Sequence, residues 1–227
     1  MKKERVFKNL LFAGILTMAV CTSCAPAGKK DSPPEDTAAQ ETEADAVGDD
    51  DTKLWFGITD LENEYIKERN AGLMDCGEVQ IMSNNTLYEG DSLDQKEIRF
   101  IRHMFQYNYK MNDSGQLLFV SSSEDVVLFT HEQGKEKGTY PIRDAQFAEE
   151  GDRLLPSVEA MYKKVGMPAD ELQENIDANR ILVLFDLQEY MTEHPEVKGI
   201  EYEGEIRTAE ELDEIMNTRL EEYDSAT

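Results

Sequence analysis

The sequence predicts an α+β domain, a small antiparallel sheet running as a meander and packed with several amphipathic helices. Three observations carry that expectation. Thr59 with Glu62 and Thr208 with Glu211 have the spacing of helix-capping boxes. Apolar runs between Gln116 and Ile142 are separated by short polar loops. Residues 53–227 make a length that suits one domain.

Taken in order, the Thr59 box predicts a helix from about Asp60 to Asn70, stopped by Gly72. Glu78 to Met82 and Thr86 to Glu89 flank Ser83-Asn84-Asn85, which reads as a small hairpin. Ser92 with Gln95 repeats the cap chemistry and predicts a helix from Leu93 to about Lys110. On a helical wheel Ile98, Ile101, Phe105 and Tyr109 share its apolar side, and the remaining arc gathers Lys96, Arg99, Arg102, His103, Gln106 and Lys110. Asn112 to Gly115 is a turn, after which Gln116 to Val120, Val126 to Thr130 and Gly138 to Ile142 read as three strands.

Arg153 to Val165 is amphipathic with Pro156 in its first turn, where the missing N–H costs little, and Gly166-Met167-Pro168 ends it. A helix from Ala169 to about Ala178 follows. Ile181 to Leu187 is apolar throughout, so periodicity alone does not separate a buried strand from a buried helix. It runs without a breaker into Gln188 to Glu193, which favours a helix reaching Pro195. Ile200 to Arg207 around Glu203-Gly204 reads as a hairpin, and the Thr208 box opens a last helix to about Tyr223.

Charge divides the chain into three parts. The whole carries 48 acids against 23 Lys and Arg, a net charge of −25. Such a balance argues against nucleic acid, whose phosphates need a basic stripe. Residues 1–30 hold six bases against Glu4, residues 31–52 hold nine acids and no base, and residues 53–227 hold 38 acids against 17 bases. In that acidic domain the predicted stripe of Lys96, Arg99, Arg102, His103 and Lys110 is the one concentration of positive charge. It reads either as a solvated face paired with acids or as a docking stripe for an anionic ligand, wall polymer or partner.

Lys2, Lys3, Arg5 and Lys8 precede the apolar run Leu10 to Val20, which meets Cys21-Thr22-Ser23-Cys24. A spanning helix needs ~20 apolar residues to cross ~30 Å of hydrocarbon, and this run is about half as long, which fits an export signal. Ser23 before Cys24 resembles the cleavage site of bacterial lipoprotein precursors. That resemblance covers the first two dozen residues and implies a signal peptide over 1–23, a lipid-modified Cys24 and an extracytoplasmic, membrane-anchored location. Cys21 stands where this pattern usually has Leu. It is the second candidate for lipidation, disfavoured by the bulky Val20 before it. Two or more acyl chains give stable anchoring where one is marginal. Residues 24–52 are rich in Ala, Glu, Asp and Thr with no aromatic, Ile or Leu, which predicts a disordered acidic tether ahead of a domain over 53–227.

The motifs of common chemistries are missing. The sequence has no HExxH, GxSxG or glycine-rich phosphate loop, and its one CxxC, Cys21 to Cys24, lies in the leader, so no metal site and no cofactor are expected. Cys76 has no partner once Cys21 and Cys24 are spent on the leader, and Asp75 and Glu78 beside it work against a thiolate. The expectation is therefore a membrane-anchored binding or interaction module for an envelope protein or anionic polymer. The alternative is a small envelope hydrolase built from scattered acids and His131, with Ser121, Ser122 or Ser123 as the nucleophile.

Overall fold

A computed structural model describes residues 48–90, 96–136 and 138–226. Cys24, Cys21, the predicted signal peptide and most of the predicted tether lie outside the described residues. The fold is α+β, with four helices and a mostly antiparallel, open six-stranded sheet. Helix α1 spans Gly48–Ala71 and is followed by β1 (Val79–Glu89), β2 (Glu97–Met111), β3 (Gln116–Glu132) and β4 (Ile142–Phe147). A 3-10 turn at Gly151–Arg153 leads into α2 (Leu154–Val165) and α3 (Leu172–Glu193), then β5 (Gly199–Tyr202), β6 (Glu205–Arg207) and α4 (Ala209–Ala226). None of the described helices is long and apolar enough to cross a membrane.

The strands lie in the order β1-β2-β3-β5-β6, and β1, β2 and β3 form the expected meander. The long β3 serves two further neighbours: Val127 to His131 pair antiparallel with β4, while Gln116 and Leu117 pair parallel with Gly199 and Ile200 of β5. Helices cover both faces. Ile58 and Ile66 of α1 pack on Ile98, Phe100, Met104, Val127 and Phe129. On the opposite face α2 and the start of α3 bury Ile101, Val126 and Leu128, and the rest of α3 with α4 buries Ile81, Phe105, Tyr109 and Leu117.

Several sequence expectations hold. Ile181 to Leu187 is helical, inside α3, with Val183, Leu184 and Leu187 fully buried. Gly166 ends α2 at φ 76, a left-handed position that a side chain would strain. The Thr208 capping box forms in both directions, Thr208 N–H donating to Glu211 at 2.8 Å and Glu211 N–H to the Thr208 hydroxyl at 3.3 Å. In the β2–β3 turn the Asn112 side chain accepts from the N–H groups of Ser114 and Gln116, both at 2.9 Å.

Others are corrected. The segment read as a helix from Leu93 to Lys110 is strand β2 over its described length. A strand buried on one face alternates apolar and polar residues, but β2 is covered on both, so its apolar residues run together and imitate a helical wheel. The predicted hairpin at Ser83-Asn84-Asn85 is one continuous strand, β1, and the predicted loop at Ser121 to Asp125 lies inside β3. The strand placed at 138–142 starts at Ile142 instead, and the two helices read over 169–193 are one. Helix α1 begins at Gly48, so Thr59 sits within it rather than capping it.

Candidate functional site

The strand geometry of β2 separates the predicted stripe. Successive side chains of a strand point to opposite faces, so Arg102 and His103 part company although they are adjacent in sequence. Arg102 lies under α1, buried, its Nε donating to Glu62 Oε2 at 2.9 Å, its guanidinium also donating to Thr86 and stacking 4.3 Å over the Phe100 ring. His103 lies on the opposite face, buried, with Nε2 3.0 Å from Glu124 Oε1. Lys110 sits at the far end of the strand and pairs with Asp75 at 3.0 Å. Of the five stripe residues, Lys96 and Arg99 alone come together at one surface feature.

That feature is a cleft of about 380 Å³ lined by Tyr88, Gly90, Lys96, Glu97, Ile98, Arg99, Lys164 and Val165. Three elements build it: the end of β1, the first residues of β2 and the last turn of α2. Among the described residues its lining holds three cations, Lys96, Arg99 and Lys164, and one acid, Glu97. Arg99 holds Glu97 at 2.6 Å, Arg143 from β4 holds its other oxygen at 2.5 Å, and Lys164 donates to Gln146. What burial Glu97 has works upward on its carboxyl, but hydrogen bonds from Arg143 and Arg99 and their charges outweigh it and hold Glu97 below its ordinary range. The acid is thus committed to two arginines. Lys96 is exposed, with no side-chain partner among the described residues.

Arg143 and Lys164 went unread in the sequence. Lys163-Lys164 is a common ending for a helix, since cations suit the negative end of the helix dipole. Nothing in that pattern tells that α2 ends beside the start of β2.

The residues considered for a hydrolase do not assemble. His131 is fully buried, Nε2 3.1 Å from Glu62 Oε1 and Nδ1 2.9 Å from the Tyr140 carbonyl oxygen, so both ring nitrogens are engaged. Ser121, Ser122 and Ser123 pair with Asn108, Tyr107 and Gln106, whereas His131 pairs with Ile98, at the other end of the same strand. At ~3.3 Å per residue that separation is more than 20 Å. Ser121 donates to the Asp75 carbonyl at 2.6 Å and Ser123 accepts from Asn70 at 2.9 Å. Glu201 accepts from the Phe119 N–H at 3.0 Å, and Glu203 and Glu205 pair with Arg219 and Arg207, so the acidic alternation is dispersed. Among the described residues no group of His, Cys, Asp and Glu is placed to hold a metal ion. Cys76 is half-buried, its sulfur 3.7 Å from Gln106 Nε2 and 3.8 Å from the Met74 carbonyl oxygen.

A second polar group joins β2 and β3 to α3 at the margin of the interlayer. Glu124 takes both the His103 contact and Arg180 Nε at 2.7 Å. Burial pushes its carboxyl up, and the two hydrogen bonds with their cationic partners bring it below the ordinary value. On α3, burial raises the Asp186 carboxyl to about 7, opposed by a hydrogen bond with Ser83 and helped by the charge of Glu189. His103 is buried and Asp186 half-buried beneath α3, while Glu124 and Arg180 lie exposed at its margin, and none of the four lines the cleft.

Comparison with protein-family models, curated proteins and solved structures finds no match to this chain. The chemistry of the site therefore rests on its own residues.

Proposed function

We propose that the protein is a lipid-anchored extracytoplasmic binding module that takes an anionic group of an envelope polymer or envelope protein in the cleft between the start of β2 and the end of α2. The observation that carries this reading is a local reversal of charge. In a domain with 38 acids against 17 bases, the described lining of the cleft holds Lys96, Arg99 and Lys164 with one acid, Glu97, that is already paired with two arginines. An anion entering the cleft exchanges the surrounding negative field for Lys96 and Lys164, beside an Arg99 that Glu97 already engages, an arrangement that selects by charge and by approach direction. The anchor comes from the lipoprotein-like Cys24, which holds the domain beyond the acidic tether on the outer face of the membrane.

The test has two arms. Mild-detergent recovery of the full protein from its own membranes, set against Cys24→Ala, identifies what it carries and whether the anchor holds it; release of the Cys24→Ala protein to the soluble fraction is expected. Titration with an anionic wall polymer is then compared with Lys96→Glu/Lys164→Glu, which should weaken binding at least tenfold and reduce its salt dependence. Equal binding by wild type and double variant overturns the cleft as the site.

A further inference from the structure

One carboxylate ties up two arginines at the cleft. Glu97 gives one oxygen to Arg99 at 2.6 Å and the other to Arg143 at 2.5 Å, and neither arginine has another side-chain partner among the described residues. Strand pairing does not explain the acid. Glu97 lies directly across the β2–β3 ladder from Glu132, where like charges repel, so the two arginines are what hold it. Both arginines are open to solvent, at 42% and 47% exposure, and the place the carboxylate occupies can therefore be reached from outside. Two further cations stand beside it. Lys96 has no side-chain partner among the described residues, and Lys164 donates to the neutral Gln146.

We propose that Glu97 is the cleft's own competitor for its ligand, and that the ligand group is a doubly charged phosphate, which enters by taking Arg99 and Arg143 from the Glu97 carboxylate. This rests on the reading of the cleft as an anion site and names the anion. An acid tethered on the same strand competes at an effective concentration of roughly millimolar or above. A ligand carboxylate would bring the arginines only what Glu97 already brings, one charge and a planar pair of oxygens, and would give up its freedom of motion to do so. A phosphate monoester brings about two charges and three tetrahedrally set oxygens, so two can meet the arginines while the third remains for Lys96 and Lys164. Lys164 leaves Gln146 without unpairing a charge. The released Glu97 turns about its own side-chain bonds into water. A terminal phosphate on an envelope polymer and a free phosphate ion share this chemistry.

The test is calorimetric titration of the full chain in detergent with inorganic phosphate, glycerol 3-phosphate and acetate. Wild type should bind the two phosphates and show no acetate binding at millimolar concentration; the tighter of the two phosphates assigns the source. Glu97→Gln removes the charge, whereas Glu97→Asp keeps it on a side chain too short to bridge both arginines. Both variants should bind phosphate about tenfold more tightly, with urea midpoints close to that of the wild type. A rise in Glu97→Gln alone means that only the lost charge matters and overturns the exchange. Acetate binding equal to phosphate in the wild type overturns the ligand class. The lysine variant Lys96→Glu/Lys164→Glu separates this inference from the reading beneath it: phosphate binding that the lysine variant abolishes and neither Glu97 variant strengthens leaves an anion site and overturns the competitor. An anionic wall polymer that binds through the lysines where phosphate does not overturns the phosphate, and no binding of any probe or polymer overturns both. The carboxyl carbon of Glu97 gives a readout free of mutation. Its NMR signal in the wild type should move to that of a solvated glutamate as phosphate saturates the cleft, and a signal that stays in place at saturation overturns the exchange.

Discussion

Glu62 binds Arg102 and His131 at once, one through each carboxylate oxygen, at 2.9 and 3.1 Å, and neither Glu62 nor His131 has any solvent exposure. The three side chains come from α1, β2 and β3, so one carboxylate ties the helix to the two central strands. Removing it strands two buried polar partners. Glu62→Ala is expected to cost about 3–5 kcal/mol, whereas Glu62→Leu with Arg102→Met should cost much less, because both charges leave together. Urea unfolding of both variants checks this.

Arg99 and Arg102 should respond oppositely to charge reversal. Arg99 is half-exposed beside Glu97, and Arg99→Glu should change stability by less than about 1 kcal/mol while weakening anion binding. Arg102→Glu places a second carboxylate against Glu62 in the interior, and the protein should fail to fold at 37 °C. Circular dichroism melts of the two variants separate a surface cation from a structural one.

Asp186 makes stability depend on pH. Its carboxyl ordinarily titrates at 3.8 and in the folded chain at about 7, so between those values the folded state holds a proton that the unfolded state has lost. Its contribution therefore declines as pH rises from about 4 to about 7, then stays at a constant penalty. Asp186→Asn keeps a hydrogen-bonding partner for Ser83 without the charge. It should raise stability by about 2 kcal/mol at pH 8 and change it little at pH 4. Urea midpoints at pH 4, 6 and 8 measure the difference.

Gly77 stands at φ 59, and a Cβ there would press into the Tyr109 carbonyl. Both the backbone conformation and the close approach exclude a side chain. Gly77→Ala should lose about 3 kcal/mol by chemical denaturation. At Gly166, also left-handed but facing open space, alanine should lose about 1 kcal/mol.

Thr208→Ala should cost about 1 kcal/mol by removing the side-chain acceptor at the start of α4. Glu211→Ala should cost a similar amount, and the double variant less than the sum, since each bond is half of one box. A double-mutant cycle on thermal unfolding measures the coupling.

What the sequence made legible was local chemistry. The Thr208 box, the Asn112 turn, the Gly166 stop and the unbroken run from Ile181 to Glu193 each carry their structure within a few residues. What it hid depends on partners far along the chain. Ser83-Asn84-Asn85 has the composition of a turn, yet Asn84 donates to Glu62 and Asn63 across 22 and 21 residues and the segment stays extended. Ser121 to Asp125 reads as a loop for the same reason. Its serines meet Asn108 and Asn70, and Asp125 meets Arg69 at 3.4 Å. A helix that presents Glu62 and Asn70 inward calls for polar residues on the strands beneath it, and those residues imitate loops. The cleft was half legible: Lys96 and Arg99 were read as neighbours, but Lys164 joins them only through the docking of α2.

The turn Asn112–Gly115 also sets an order of events. Strands β2 and β3 are neighbours in the chain as well as in the sheet, whereas Glu62 meets His131 across 69 residues. A hairpin closed by so short a turn gives up little chain entropy, and α1 has no surface to dock on until β3 has paired. Folding is therefore expected to nucleate at the hairpin, with φ-values high around Asn112 and near zero at Glu62. In a chain made from its N-terminus, α1 emerges first and waits with its carboxylate in water, and the final parallel pairing of β5 with Gln116 and Leu117 closes behind it.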